Sequence, residues 1–353
     1  MANQGTEYEA AAAGAASDVA EFDSHKGLIR RIQHWLHQTP AAVPMIVLLA
    51  SVLIFGLLLG TKFFSPFALT LILQQVAIVG IVAAAQSLVI LTAGIDLSVG
   101  AIMVFSSVIM GQFTFRYGLP PEVAVICGLA AGTLMGTING ILVAYMRLPP
   151  FIVTLGSWQI FLAMNFIYSA NETIRAQDIE ANAPILQFFG EKFRVGGAVF
   201  TYGVVALLVL TALLAYALRS TAWGRHVYAV GDDPDAAELA GVNTKRTLVS
   251  VYALAGLICA FAGWVLVGRI GSVSPTSGQN ANIEAITAVV IGGISLFGGR
   301  GSILGALCGA LIVGVFSLGL RMYGADPQIT YLMIGLLIIA AVAVDQWIRR
   351  LAT

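Results

Sequence analysis

Charged side chains are scarce in this chain: only 10% of its 353 residues are Asp, Glu, Lys or Arg, whereas 58% are apolar. A soluble protein of this length needs far more charge to cover its surface. The few charges cluster between apolar runs that are long enough to cross a bilayer as helices. Lipid is therefore predicted to surround most of the chain.

An excess of either charge is also missing, because 18 basic residues balance 18 acidic ones. Binding along a nucleic-acid backbone requires a basic face, so nucleic acid is excluded as a main partner. The three cysteines, Cys127, Cys259 and Cys308, lie singly in apolar runs and lack the close pairs typical of metal sites. We interpret them as small core residues.

The sequence has no phosphate-binding loop of the form G-x-x-x-x-G-K-[ST], and the glycine-rich turn at 298–305 has no lysine to meet a phosphate. Nucleotide must then be handled by another chain. Its four histidines, His25, His34, His37 and His226, show neither a metal-binding nor a triad spacing. No catalytic residue, metal site or bound cofactor is predicted, and an enzyme is excluded.

Ten apolar stretches predict an all-α polytopic membrane protein, with residues 41–350 as the transmembrane domain. A polar leader, residues 1–40, is predicted to be disordered. Since basic residues flank both ends of the chain and an even number of spans returns it to its starting side, both termini are predicted to be cytoplasmic. The predicted spans are 42–60, 67–91, 98–114, 121–146, 150–170, 200–218, 247–268, 284–298, 303–320 and 328–348.

Two hydrophilic segments are longer than a turn. Residues 171–199 are predicted to be periplasmic, with a short helix around the Leu-Gln-Phe-Phe run. Residues 219–246 are predicted to be cytoplasmic and to hold a helix that Asp233 caps and Gly241 ends. The predicted helix consists of Asp233, Pro234, Asp235, Ala236, Ala237, Glu238, Leu239, Ala240 and Gly241.

Two glycine-containing segments interrupt apolar runs and resemble each other. Residues 93–101 align with 298–306, so that Gly94 and Gly100 correspond to Gly299 and Gly305. The apolar run before the second segment is short for a span. This pattern is typical of the discontinuous helices that form solute sites in transporters.

Asp96 lies between two apolar runs, where an ionisable side chain is costly and by default marks a functional site. Two interpretations stay open. Asp96 either lines a gate or pathway, or caps the helix that follows it without touching a solute.

Several amides also fall inside predicted spans, where an unpaired amide facing lipid costs several kcal/mol. With nearby aromatic rings they form a neutral set suited to a sugar, although packing bonds between helices are an equal alternative. The candidate pathway residues are Asp96, Gln86, Asn139, Gln159, Asn165 and Trp158, and related positions are Gln74, Gln75, Phe161 and Phe166.

Four long runs resemble the ribose/xylose/fructose class of bacterial ATP-binding-cassette (ABC) sugar permeases. They occur in the family's order over about residues 45–350, which makes the resemblance highly specific. The amino-acid sequences at 169–178 and 297–302 are most similar to those of the fructose permeases of alpha-proteobacteria. The four runs are 94–100 (Gly-Ile-Asp-Leu-Ser-Val-Gly), 148–156 (Leu-Pro-Pro-Phe-Ile-Val-Thr-Leu-Gly), 221–241 and 288–301.

The resemblance implies a homodimer in the bacterial inner membrane that imports a monosaccharide. It implies three partners besides lipid: a cytoplasmic ATPase that binds ATP and Mg, a periplasmic sugar-binding protein and a second copy of this chain. The helix at 233–241 is similar to the family's coupling helix, which sits in a groove of the ATPase. We expect its small alanine face, with Ala237 and Ala240, to approach that groove closely.

An ion-gradient-driven secondary transporter is the alternative class. Such proteins usually need ionisable residues at the membrane midplane. Here Asp96, Glu122, Glu284 and Asp345 all lie near the ends of predicted spans. The source of energy is therefore predicted to be a partner chain.

Overall fold

A computed structural model describes residues 42–195, 197–278 and 280–350; the predicted leader lies outside these residues. In the described part the chain is almost entirely helical. The helices are α1 (Ala42–Leu59), α2 (Pro66–Leu91), α3 (Val99–Phe115), α4 (Pro121–Ala144), α5 (Pro150–Ser169), α6 (Ala176–Asn182), α7 (Tyr202–Ser220), α8 (Ala222–Asp232), α9 (Pro234–Leu239), α10 (Thr244–Ile270), α11 (Ala281–Ile291), α12 (Ile303–Tyr323) and α13 (Pro327–Arg350).

Every predicted span contains an apolar helix. Seven stretches of the described residues are long and apolar enough to cross a membrane, and three shorter apolar helices accompany them. The protein is thus an all-α polytopic membrane protein, while the count of ten crossings and the side of the termini stay predictions. The shorter helices are Val99–Phe115, Ala281–Ile291 and Gln328–Ala340.

Local sequence explains where several helices begin. Ser65 caps α2 by accepting a hydrogen bond from the Ala68 N–H at 3.2 Å, and Pro66 follows at the first helical position. Leu-Pro-Pro sequences precede α4 and α5, whose first residues are Pro121 and Pro150. Proline fits there because its missing N–H has no helical partner to lose.

Helices α4 and α10 make the most extensive contact in the bundle, and glycines allow it. A methyl group on Gly136 would overlap the Tyr252 carbonyl oxygen, and one on Gly256 would overlap the Gly132 carbonyl oxygen. Such small residues let backbones approach within a membrane, where dispersion contacts replace the hydrophobic driving force. The centre of the bundle is the second half of α2 together with α3, since residues 76–91 and 99–112 are all buried.

Residues 171–201 cover one end of the bundle, which we call the hairpin end. They form α6, a 3₁₀ helix at Pro184–Gly190 and an antiparallel hairpin of β1 (Lys192–Val195) and β2 (Ala198–Thr201). The 3₁₀ helix contains the Leu-Gln-Phe-Phe run, so a short helix was predicted correctly there. The sequence analysis missed α6 and the hairpin.

Helices α8 and α9 form the opposite end, which we call the α8–α9 end. The 19 residues of α7 separate the two ends, about 28 Å at 1.5 Å per residue. Asp233 caps α9 by accepting from the Asp235 and Ala236 N–H groups at 3.0 Å each. Gly241, with φ of 87°, follows the helix as predicted, whereas α8 was not predicted.

Candidate functional site

Two breaks interrupt the central helices: residues 92–98 between α2 and α3, and residues 292–302 between α11 and α12. They begin with the same hydrogen bond. The Gly94 N–H donates to the Val89 carbonyl at 3.1 Å, and the Ile294 N–H donates to the Val289 carbonyl at 3.2 Å. The two breaks thus begin alike, in a register that pairs Gly94 with Ile294 and differs by five residues from the sequence alignment of Gly94 with Gly299.

The two breaks contact each other directly. The Gly299 N–H donates to the Leu91 carbonyl at 3.0 Å, and a methyl group on Gly298 would lie 2.8 Å from the Ala93 Cβ. The last turn of α8 lies against this junction: a methyl group on Gly231 would overlap the Leu91 carbonyl oxygen and lie 2.7 Å from the Gly299 nitrogen. Segment 222–232 therefore contacts the last residue of α2, directly before the first break, and the second break itself.

Tyr228 adds a second contact between α8 and the later break. Its hydroxyl donates to the Gly301 carbonyl at 2.9 Å. Burial raises the pKa of the Tyr228 phenol above its ordinary value, so the group stays protonated and able to donate. On its other side, α8 is joined to α10 through Trp223, whose Nε1 donates to the Ser250 Oγ at 2.8 Å.

Asp96 lies inside the first break with 1% of its surface exposed. One carboxylate oxygen, Oδ1, accepts from the Ser98 N–H at 2.7 Å and from the Ser98 Oγ at 2.6 Å. Ser98 is the residue that precedes α3. This geometry supports the capping interpretation, because the carboxylate satisfies a free N–H at the start of the helix.

Asn139 and Gln86, which are two of the predicted pathway residues, also contact the first break. The Asn139 Nδ2 donates to the Ser98 Oγ at 2.9 Å, and the Ser157 Oγ donates to the Asn139 Oδ1 at 2.5 Å. The Gln86 amide, oriented to satisfy both groups, donates to the Asp96 carbonyl at 2.9 Å and accepts from the Asp96 N–H at 3.2 Å. Side chains from α2, α4 and α5 thus hold one buried polar cluster.

The other three predicted pathway residues do not join this cluster. Trp158 packs against the apolar core, and Gln159 is exposed on the outer side of α5. Asn165 is buried further along α5, where its Nδ2 donates to the Pro275 carbonyl at 2.9 Å. Gln159 lies about 200° around the helix from the buried Ser157, so the two cannot share a face.

Sequence reasoning missed four residues that complete the cluster. Ser98 stands two residues after Asp96 within the quoted run 94–100, and its spacing is typical of a side chain that caps locally. Ser157 and Thr154 share one face of α5, and the Thr154 Oγ1 donates to the Ile95 carbonyl at 2.9 Å. Tyr252 is buried beside the break. Nothing in the apolar run around it indicated a role in this cluster.

The predicted coupling helix is exposed, apart from one residue. Within Asp233, Pro234, Asp235, Ala236, Ala237, Glu238, Leu239, Ala240 and Gly241, only Ala237 is buried, with 4% of its surface exposed. Our expectation that Ala237 faces a partner is therefore wrong: the side chain packs inward. Leu239 is 91% exposed, more than any other large apolar side chain in the described residues.

Comparison with known proteins gives concordant matches. Residues 68–342 match the family described as branched-chain amino acid transport system / permease component. The chain is 73% identical over 347 residues to the fructose import permease protein of Rhizobium meliloti, covering 98% of this chain and 96% of the relative. It is 36% identical over 289 residues to the ribose import permease protein of Bacillus subtilis, covering 82% and 88%. No solved structure matches the chain.

The matched region contains both breaks and the α8–α9 segment. Permeases of this kind work with a separate ATPase and a separate solute-binding protein. The chain spans the inner membrane several times. It belongs to the branched-chain amino acid transport system / permease component family, as the membrane subunit of an ABC importer and not an enzyme.

Proposed function

We propose that the chain carries fructose across the inner membrane, driven by ATP that a partner subunit hydrolyses. The 73% identity to a fructose import permease over nearly the whole chain supports this substrate. The family description names branched-chain amino acids, but an amino acid carries two opposite charges that a buried site has to balance. The one carboxylate of the buried cluster is held by Ser98 behind the pathway, so it does not offer the charge that an amino acid requires.

The exposure of Leu239 is the observation that carries the proposed mechanism. A large apolar side chain that is 91% exposed on a short helix outside the spans is expected to enter a partner's pocket. We propose that α9 seats in a groove of the ATPase through Leu239 and Ala240. The contact would be transmitted through α8, whose last turn lies against Leu91 and the second break.

Docking is tested by placing a carboxylate on this helix. Leu239→Asp is expected to abolish co-purification of the ATPase and uptake of fructose, because a charge buried at an apolar contact costs several kcal/mol. Ala222→Asp is the matched control. Ala222 is exposed at the first position of α8, and the helix dipole stabilises a carboxylate at that position. Co-purification and uptake at wild-type levels in Leu239→Asp would exclude α9 as the docking helix.

The remaining parts of the proposal concern the assembly. Two copies of the chain are proposed to form the pathway between them, with lipid around the outer surface. ATP and Mg are proposed to bind only the ATPase. Asp96, Gln86 and Asn139 are proposed to fix the first break and so to support the cytoplasmic part of the pathway. The Asp96 and Asn139 side chains both bond to Ser98, and the Gln86 amide bonds to the main chain of Asp96.

A further inference from the structure

The described residues between α10 and α11 form turns and extended chain, although they lie among membrane helices. Gly271, with φ of 80°, ends α10 at the hairpin end. Residues 272–278 and 280, which we call the unwound segment, then lead to Ala281, the first residue of α11. The polar composition of residues 273–284 favours an outer loop, which either meets a binding protein, lines the outer mouth or only connects two helices.

The unwound segment descends into the bundle alongside α3. Val273 lies at the level of Gly111, because a methyl group on Gly111 would lie 3.0 Å from the Val273 side chain. A methyl group on Gly278 would lie 2.7 Å from the Met103 Cε. From Gly111 to Met103 is about 12 Å along the helix axis. The segment therefore runs alongside about 12 Å of α3 as turns and extended chain, with a turn hydrogen bond from the Ser277 N–H to the Ser274 carbonyl at 3.2 Å.

Helices α3 and α11 consequently both begin inside the bundle, and their first turns meet. The Asn282 Nδ2 donates to the Leu97 carbonyl at 3.3 Å, and a methyl group on Gly100 would lie 3.2 Å from the Asn282 nitrogen. Two helix starts that meet part-way across a membrane are the arrangement found at solute sites of transporters built from broken helices.

One face of the unwound segment is open in the single chain. Thr276 and Asn280 are exposed, and Ile283 in the first turn of α11 is 58% exposed. Non-helical backbone at membrane depth does not face lipid, because its polar groups would lose their hydrogen bonds. This face must therefore meet water or another protein surface in the assembled transporter.

Asn165 gives an independent indication that a polar ligand approaches this segment. Its side chain is 1% exposed, and its Nδ2 donates to the Pro275 carbonyl. Its Oδ1 has no hydrogen-bond partner among the described residues. A buried amide oxygen without a partner costs about 1–3 kcal/mol and is usually explained by a water or ligand that it binds.

We propose that the unwound segment, with the first turn of α11, lines the solute pathway and binds the hydroxyls of a neutral polyhydroxylated solute. The proposal rests on the proposed sugar transport. The segment supplies hydroxyls and amides from Ser274, Thr276, Ser277 and Asn280, of which the Ser274 and Thr276 hydroxyls bond to each other at 3.1 Å. Glu284 also lies in the first turn of α11, and Arg269 in the last turn of α10 donates from its Nη2 to the Gln75 Oε1 at 2.9 Å. A second copy of the chain would close the open face.

Transport by the complete importer in proteoliposomes, with its ATPase and a fructose-loaded binding protein, tests the proposal. Thr276→Val and Asn280→Leu keep the size of the side chain and remove its polar atoms. Each is expected to lower radiolabelled fructose uptake about five- to ten-fold, the effect of losing one hydrogen bond to the passing sugar. Thr133→Val on α4 is the control, because the Thr133 hydroxyl bonds only to the Leu129 carbonyl of its own helix, and its uptake is expected to be unchanged.

A labelling experiment keeps the proposal testable without uptake. Asn280→Cys, in a chain whose own cysteines are replaced by alanine, is expected to react with a small hydrophilic maleimide. Wild-type uptake by both Thr276→Val and Asn280→Leu would overturn the pathway assignment. Reaction of Asn280→Cys with lipid-soluble reagents alone would overturn it too. If the unmodified importer fails to carry fructose while Asn280→Cys still reacts from water, the choice of sugar is wrong and the wet pathway stands.

Discussion

Gly299 and Leu91 join the two breaks of the bundle through a main-chain hydrogen bond of 3.0 Å, although 208 residues separate them in the sequence. Gly231 at the end of α8 lies against both residues. A displacement of α8 therefore has to move the two breaks together.

A methyl group on Gly231 is expected to separate the breaks. In Gly231→Ala the new Cβ overlaps the Leu91 carbonyl oxygen, and such overpacking typically costs about 1–3 kcal/mol. We expect the thermal midpoint of the purified chain to fall and fructose uptake to drop several-fold. Gly156→Ala is the control, because nothing lies within 4 Å of a methyl group there. Equal stability and uptake in the two variants would show that the junction is loose.

Asp96 is expected to act through its hydrogen bonds and not through its charge. Asp96→Asn keeps an oxygen that accepts from Ser98, so uptake should stay within about two-fold of the wild type, as at N-caps where Asn and Asp are equivalent. Asp96→Ala leaves the Ser98 N–H buried without its acceptor, which costs about 1–3 kcal/mol. Thermal unfolding and uptake of both variants decide the matter. A well-folded Asp96→Asn protein without uptake would assign the charge to transport.

The two faces of α5 are expected to respond differently to truncation. Ser157→Ala removes the donor to the buried Asn139 Oδ1, and the loss should lower the free energy of unfolding by about 1–3 kcal/mol. Gln159→Ala on the exposed face should change it by no more than about 0.5 kcal/mol. Denaturation of the two purified variants in the same detergent compares them directly. A larger effect for Gln159→Ala would place Gln159, and not Ser157, at a contact that matters.

The sidedness of the bundle is expected to follow the predicted topology. Asp235 and Gln177 are both exposed and lie at the α8–α9 end and the hairpin end, respectively. A cysteine at Asp235 should react with an impermeant thiol reagent only from the cytoplasm, and one at Gln177 only from outside. Intact spheroplasts and inverted vesicles distinguish the two sides. Reaction of both cysteines from one side would contradict the topology.

The positions of the helices were predictable because they depend on local sequence. Apolar runs, the Leu-Pro-Pro starts of α4 and α5, and the Asp233 cap each correspond to an observed helix start or span. The repeat of glycines at 93–101 and 298–306 also located both breaks. What the sequence did not reveal is that the breaks touch, because that contact joins segments about 200 residues apart.

It was less predictable which face of a helix is buried and how far a segment enters the bundle, because packing between distant segments decides both. Ala237 and Ala240 are the same residue type on one short helix, yet only Ala237 packs inward. Trp158 and Gln159 were predicted pathway residues, but the rotation of α5 brings Ser157, and neither of them, into the cluster. The unwound segment resembles an outer loop in composition, and only its contacts with α3 show how far it enters the bundle.

ATP-dependent uptake of radiolabelled fructose into proteoliposomes tests the central claim most directly. The chain is reconstituted with its ATPase and binding protein, and the ATPase is omitted in a parallel preparation that receives an ion gradient instead. We predict fructose uptake that requires ATP, the ATPase and the binding protein, with ribose competing more weakly. Uptake driven by the ion gradient without the ATPase would contradict the account.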